Sequence, residues 1–245
     1  MKWPGGLAIG ALVLLAHATL AQITVPIYLE DSHAGSFYWL AQEIDLEEPV
    51  TLLHFDAHSD ASAIFDSDAV RTQLRRVGSR AERKRLLTKW RERGVVQCFN
   101  WIEPLMPAPI ARVIWVRGER ADEENAKLGA EAGDFLDGHL EAAPRRAGSL
   151  RERISVRGLE ELEQSRDLAG PLLVSIDLDY FAGVPAPERA AAFERVWKFV
   201  VERRNLRGIT FAISRPYLAS DDEADALVQL ALEAALSLPT ARIRF

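Results

Sequence analysis

Val50-Thr51-Leu52-Leu53-His54-Phe55-Asp56-Ala57-His58-Ser59-Asp60 is a short apolar run that ends in a burst of acid and imidazole. A run of this length, apolar and partly β-branched, suits a strand buried on both faces. A second stretch repeats the pattern: Leu172-Leu173-Val174-Ser175-Ile176-Asp177-Leu178-Asp179, introduced by the turn pair Gly170-Pro171. Working outward, Ile23–Leu29, Ala111–Val116, Gly208–Ile213 and Ala241–Phe245 also read as strands. Helical patterns fall between them, at Phe37–Ile44, at Ala69–Arg93 with a break at Gly78, at Pro187–Arg203 and at Asp221–Leu236. In the third of these, Ala191, Phe193, Val196, Trp197 and Val200 recur at helical spacing. Alternating strands and helices with continuous apolar strands predict an α/β fold: a three-layer, doubly wound, mostly parallel sheet. The charged stretch Ala142–Gly170, with Pro144, Gly148 and Gly158, reads as an irregular excursion.

The chain has 245 residues, 48% of them hydrophobic and 27% charged, with a formal net charge of -6. That length buries a large core without disulfide or metal staples, so a metal here would be chemical rather than structural. The acidic balance argues against a general nucleic-acid binder. Charge is uneven, however: Arg71–Arg93 carries ten Lys/Arg against two Glu. This run reads either as a solvated helix face or as a docking patch for an acidic partner. Cys98 is the one cysteine, which excludes an internal disulfide and any CxxC motif; its apolar neighbours suggest a buried, inert thiol. Residues 1–22 begin with Lys2, run through Gly6–Ala16 and end in small residues around Ala18 and Ala21. This is the pattern of an export leader, with an N-terminal anchor or a cytoplasmic helix as alternatives. The remaining residues, 23–245, read as one α/β domain.

Ligands of open α/β sheets bind outside the carboxyl ends of the strands. Three strands of this chain end in acid and imidazole: Glu30-Asp31-Ser32-His33, Asp56-Ala57-His58-Ser59-Asp60 and Asp177-Leu178-Asp179. Extended backbone would aim Asp56, His58 and Asp60 to one side, and Asp177 with Asp179 likewise. Carboxylates so gathered cannot all remain ionised without a compensating cation. Two divalent metals answer that need, and oxygen-rich donors with a minority of imidazole suit Mn²⁺, with Mg²⁺, Fe²⁺ or Zn²⁺ as alternatives. His54 is read as a core histidine facing away from Asp56, outside the ligand set, and His139 as a surface residue.

The motifs resemble those of the arginase and agmatinase (ureohydrolase) superfamily. Asp56-Ala57-His58-Ser59-Asp60 is similar to its D-A-H-x-D signature, Ser175–Asp179 to its S-x-D-x-D signature, and Glu30–His33 to the segment carrying its first histidine. His54–Asp60 and Asn100-Trp101-Ile102-Glu103-Pro104 resemble an arginase-like branch of that family. The resemblance implies an arginase/deacetylase-like fold and a binuclear site. His33, Asp56, Asp60 and Asp177 would hold one metal; Asp56, His58, Asp177 and Asp179 would hold the other. Asp56 and Asp177 would bridge, and a water between the ions would attack a planar carbon, with Asp56, His58 and Asp177 as its catalytic core.

The departures bear on substrate. Tyr180-Phe181-Ala182-Gly183 follows Asp179 where the family has D-P, and Ala61–Val70 lacks its substrate-binding polar residues. Where the family has E-V-N-P, with a Glu for a guanidinium, the chain has Ile213-Ser214-Arg215-Pro216. Arg215 would repel a guanidinium and could clamp an anionic group, or else pair with Asp221 or Asp222. The expectation is a hydrolase of a C–N bond in a small, neutral or anionic molecule, not free arginine or agmatine. Two rival readings are a deacetylase-like hydrolase using Tyr180 or Tyr217, and a non-catalytic metal-binding scaffold that docks through Arg71–Arg93. Oligomeric state is left open.

Overall fold

A computed structural model describes residues 24–61, 67–117, 150–165, 168–238 and 241–244. The expected leader over 1–22, His139 and parts of the Ala61–Val70 and Ala142–Gly170 stretches lie outside them. Seven strands form one sheet: β1 (Val25–Glu30), β2 (Val50–Phe55), β3 (Ile110–Val116), β4 (Ile154–Arg157), β5 (Leu172–Asp177), β6 (Leu206–Ala212) and β7 (Ala241–Arg244). Their order is β4-β3-β2-β5-β6-β1-β7, and every pairing is parallel. The helices are α1 (Ala34–Glu43), α2 (Ser67–Arg76), α3 (Arg80–Glu92), α4 (Leu159–Gln164), α5 (Ala186–Val201) and α6 (Asp221–Ser237).

Strand alternation divides the core in two. Leu53, Phe55, Val174 and Ile176 pack with Leu159 of α4, Phe193 of α5 and Leu227 of α6. Val50, Leu52 and Leu173 point the other way, to Phe37 of α1, Leu74 of α2 and Trp90 of α3. Helices therefore cover both faces, the three-layer arrangement expected of strands apolar on both sides. Each fully buried Leu or Phe contributes about 1.5–3 kcal/mol.

Local signals set the boundaries. The basic run is two helices, because Ser79, beyond Gly78, caps α3 by accepting the Glu82 N–H. Ser220 caps α6 in the same way through the Glu223 N–H, with Asp221, Asp222 and Glu223 in the first turn favouring the positive helix end. The Ala142–Gly170 stretch needs correction: its described part holds edge strand β4 and helix α4. Charged residues hid both, since β4 lies at the sheet edge and only Leu159 and Leu162 of α4 are buried. Among the described residues, no helix is long and apolar enough to cross a membrane.

The topology makes the crevice. β2 leads to helices on the α1–α3 face, and its neighbour β5 leads to α5 on the opposite face. Chains leaving adjacent strands in opposite directions open a gap at the strand ends. β1 and β6 repeat this divergence, through α1 and α6.

Candidate metal centre

Across the α1–α3 face, the sheet register lines up Trp115, His54, Ser175, Thr210 and Tyr28 on five adjacent strands. One step further toward the carboxyl ends on that face come Asp56 and Asp177. His33, at the start of α1, drops onto this row: its Nε2 lies 2.6 Å from Ser175 Oγ, and Thr210 Oγ1 donates to the same oxygen at 2.9 Å.

The other nitrogen of His33 faces the acids. Nδ1 lies 3.0 Å from Asp56 Oδ2, 2.8 Å from Asp60 Oδ2 and 3.0 Å from Asp177 Oδ2. A second group adjoins it, with His58 Nδ1 at 2.9 Å from Asp179 Oδ2 and 3.5 Å from Asp56 Oδ1. The two oxygens of Asp56 thus face two ligand groups. All six residues expected at the metal site converge, but only partly for the expected reason. β2 ends at Phe55, so alternation does not carry Asp60 into place. Asp60 instead turns back through a left-handed backbone, φ 50°. Asp179 lies in a 3-10 turn, where its N–H is accepted by Asp177 Oδ1 at 3.0 Å.

His54 requires a correction. Two residues before Asp56, whose N–H still bonds the Val116 carbonyl beyond the end of β2, it shares that residue's face rather than opposing it. Its Nε2 is 3.2 Å from Asp56 Oδ2, and ligand atoms of His33, His54 and Asp56 all lie within 4.8 Å of one another. Asp56, His58 and Asp179 form a second such group.

Surrounding donors hold the acids, and the sequence reading assigned them no role. Trp101 Nε1 donates to Asp60 Oδ2 at 2.9 Å, and Trp115 Nε1 to the Asp56 carbonyl at 2.9 Å. Ser214, also left-handed at φ 54°, donates its hydroxyl to Asp177 Oδ2 at 2.6 Å. Asp56 Oδ1 accepts the His58 N–H, and Asp179 Oδ1 the Ala57 N–H. The sequence offered one clue: a buried indole N–H needs an acceptor, and Trp101 sits in the quoted Asn100–Pro104 segment.

The electrostatics are those of a crowded anionic site. Burial and the neighbouring Asp60, Asp179 and Asp177 carboxylates push Asp56 well above the usual carboxylate range. Burial likewise raises Asp179, with Asp177 adding to the effect. Burial opposes charge on His33, but Asp60 and hydrogen bonds to Asp177 and Asp56 outweigh it and hold the imidazole well above its ordinary value. Hydrogen bonds to Asp179 and Asp56 push His58 up to about 11. Burial, then the charge on His33, drives His54 well below its ordinary value.

These residues fit divalent ions. His33 Nδ1, His54 Nε2, Asp56 Oδ2 and Asp179 Oδ2 are buried and face only the imidazoles and carboxylates of this cluster, and His54 Nδ1 is buried without a hydrogen bond of ordinary geometry. Buried polar atoms left so incur a desolvation cost that a cation removes. Solvent reaches the site from the His58 side, whose side chain is 50% exposed while those of Asp56 and Asp179 are at most 2% exposed.

At that mouth stands Tyr217, 52% exposed, its ring centroid 4.8 Å from that of His58. Cys98 contacts its hydroxyl, so this thiol is half-buried at the rim and not an inert core residue. Cys98, then burial, then Asp60 and Asp179 raise the Tyr217 pKa, keeping the phenol protonated. Tyr180 instead packs in the core against Phe55 and Phe181. Arg215 pairs with Asp225 at 3.2 Å, Asp221 at 3.6 Å and Asp31 at 3.7 Å, with no bond to Asp222. Much of the basic run is also engaged internally: Arg71 with buried Glu103, Arg80 with Glu43 and Arg91 with Glu30.

No family model matches the chain, and no curated protein matches it. Solved structures do. Formimidoylglutamase from Bacillus subtilis is 15% identical at a TM-score of 0.45, with 88% of this chain and 62% of that one covered. Arginase from the same organism is 15% identical at a TM-score of 0.40, covering 87% and 71%. Proclavaminate amidino hydrolase from Streptomyces clavuligerus is 14% identical at 0.38, covering 86% and 62%. The chain thus spans under two thirds of the length of the first and third of these. These likenesses are at low identity, and the chemistry of the site rests on the chain's own side chains.

Proposed function

We propose that this chain is a metal-dependent hydrolase that cleaves a C–N bond of an amide- or amidine-type small molecule. The observation that supports it is Asp56, whose two carboxylate oxygens face separate ligand groups centred on His33 and His58. His33, Asp56, Asp60 and Asp177 would hold one divalent ion; Asp56, His58 and Asp179 the other, with Asp177 beside it. Oxygen-rich donors favour Mn²⁺, with Mg²⁺, Fe²⁺ or Zn²⁺ as alternatives. Ions bound there supply Lewis acidity, which acidifies a water and polarises the group under attack.

The chain's own groups do the rest. The Ala57 N–H fixes Asp179 Oδ1, which leaves Oδ2 turned toward His58 Nδ1, where the two would share the second ion. Tyr217, its ring centroid 4.8 Å from that of His58 and its phenol protonated, would donate to the oxygen or nitrogen of a bound substrate. This placement also favours a second reading, acyl-amide hydrolysis of the deacetylase type, in which Tyr217 and not Tyr180 polarises the carbonyl. Arg215 is compensated by three carboxylates, which favours a neutral substrate over an anionic one.

The test is release of amine or ammonia by the Mn²⁺-loaded protein from a panel of small amides and amidines. Turnover lost on chelation and reduced at least about 1000-fold in Asp179→Ala is expected. A metal-loaded protein inert across the panel, or an Asp179→Ala variant of full activity, contradicts the proposal.

A further inference from the structure

His54 has no role in the six-residue ligand set, yet it is one of the most enclosed polar side chains in the molecule. It is 0% exposed, on the face of β2 that carries Asp56. Neither ring nitrogen has a hydrogen-bond partner of ordinary geometry, and the His58 backbone makes only a weaker polar contact with the ring. Its ring is tilted against His33 at 5.2 Å between centroids and edge-on to Trp101 at 5.8 Å. Aromatic walls fix the ring, and the Nε2 edge meets Asp56 Oδ2 at 3.2 Å, the same oxygen that His33 Nδ1 approaches at 3.0 Å. Two imidazole nitrogens and one carboxylate oxygen therefore point at a common space no wider than 4.8 Å.

A histidine whose only task was to fill the core would need a polar partner for its N–H, or would be replaced by an apolar ring at no cost. A histidine that only oriented Asp56 would make a well-formed hydrogen bond to it. We propose that His54 is a metal ligand, so that the first site offers two imidazoles, His33 and His54, beside its carboxylates. This inference rests on the binuclear reading and goes beyond it, because it makes the two sites unequal. Imidazole donors favour Zn²⁺ and Fe²⁺, whereas carboxylate donors favour Mn²⁺ and Mg²⁺. The second imidazole therefore shifts the first site toward Zn²⁺ or Fe²⁺ relative to its neighbour. The second site, with His58 as its single imidazole beside Asp56 and Asp179, is the one that takes Mn²⁺ or Mg²⁺.

The experiment uses the full chain, freed of metal and titrated with Zn²⁺ and Mn²⁺, alone and in competition. Bound ions are counted by mass spectrometry, and X-ray absorption at the zinc edge gives the number of imidazoles. One tightly held Zn²⁺ with two imidazoles is expected in the wild type. In His54→Gln, Zn²⁺ affinity should fall at least about 100-fold and Mn²⁺ affinity less than about 10-fold, so that the preference for zinc collapses. A wild-type zinc spectrum with a single imidazole overturns the proposal, as does an unchanged zinc preference in the variant. Should His54→Gln not fold, the wild-type spectrum decides alone. A wild-type chain that binds neither ion overturns the binuclear reading and this inference together; one that binds two ions through one imidazole each overturns this inference only.

Discussion

Ser214 donates its hydroxyl to Asp177 Oδ2 across 2.6 Å from a backbone held at φ 54°. A non-glycine residue in the left-handed region carries strain of about 1–2 kcal/mol, kept here because the side chain is needed. Ser214→Ala keeps the strain and loses the bond, and should destabilise the metal-free protein by about 1–3 kcal/mol. Ser214→Gly also loses the bond but relieves the strain, so it should be the more stable of the two in urea unfolding. The reverse order would show that φ at this position is not strained.

Asp60 makes the same argument with a different side chain. It too is left-handed, at φ 50°, and it accepts the Trp101 N–H at 2.9 Å. Asn tolerates this backbone and can accept the same bond. Asp60→Asn should fold with near wild-type stability and lose one ion, whereas β-branched Asp60→Val should cost roughly 2 kcal/mol or more. Thermal melts with and without metal distinguish the two.

Much of this was legible in the sequence, for reasons that also mark where legibility stops. β2 was bounded at Val50 and Phe55 because every residue there is buried or nearly so, leaving a continuous apolar signal. β4 leaves little apolar signal because it is an edge strand, with Val156 and Arg157 exposed. The site acids were found from their placement at strand ends, yet Asp60 and Asp179 arrive by a left-handed turn and a 3-10 turn, which strand alternation cannot foresee. His54 belongs on the Asp56 face because residues two apart in extended backbone point the same way. The Trp101, Ser214 and Thr210 contacts join segments distant in the chain and leave no local signature.

The pH dependence of the metal-free protein follows from His58 and Asp56. Hydrogen bonds to Asp179 and Asp56 raise His58 to about 11. That contribution to stability is fully present below the ordinary histidine value of about 6.5 and is lost as pH rises toward about 11. Asp56, raised by burial and its acidic neighbours, acts in the same direction, its contribution beginning to fall from the ordinary carboxylate range upward. Stability without metal should therefore fall from about pH 6 to pH 9, and metal affinity should rise over that window as ions displace protons. Melting temperatures of chelated and loaded protein across the window should diverge; parallel curves would contradict the account.

Substrate preference can be read directly. Ile213 offers no carboxylate to a guanidinium, and Arg215 stands two residues further on. Arginine and agmatine should yield no urea above background with the Mn²⁺-loaded protein. Robust urea release from either would show that another acid, such as buried Glu103, grips the guanidinium.

The count of bound ions in Asp56→Asn tests the central claim most directly. The wild-type chain should bind two divalent ions. Asp60→Asn and Asp179→Asn should each lose one, and Asp56→Asn alone should lose both, because its two oxygens serve both groups. An Asp56→Asn protein that still held two ions, or a folded wild type that held none, would contradict the shared carboxylate on which the account is built.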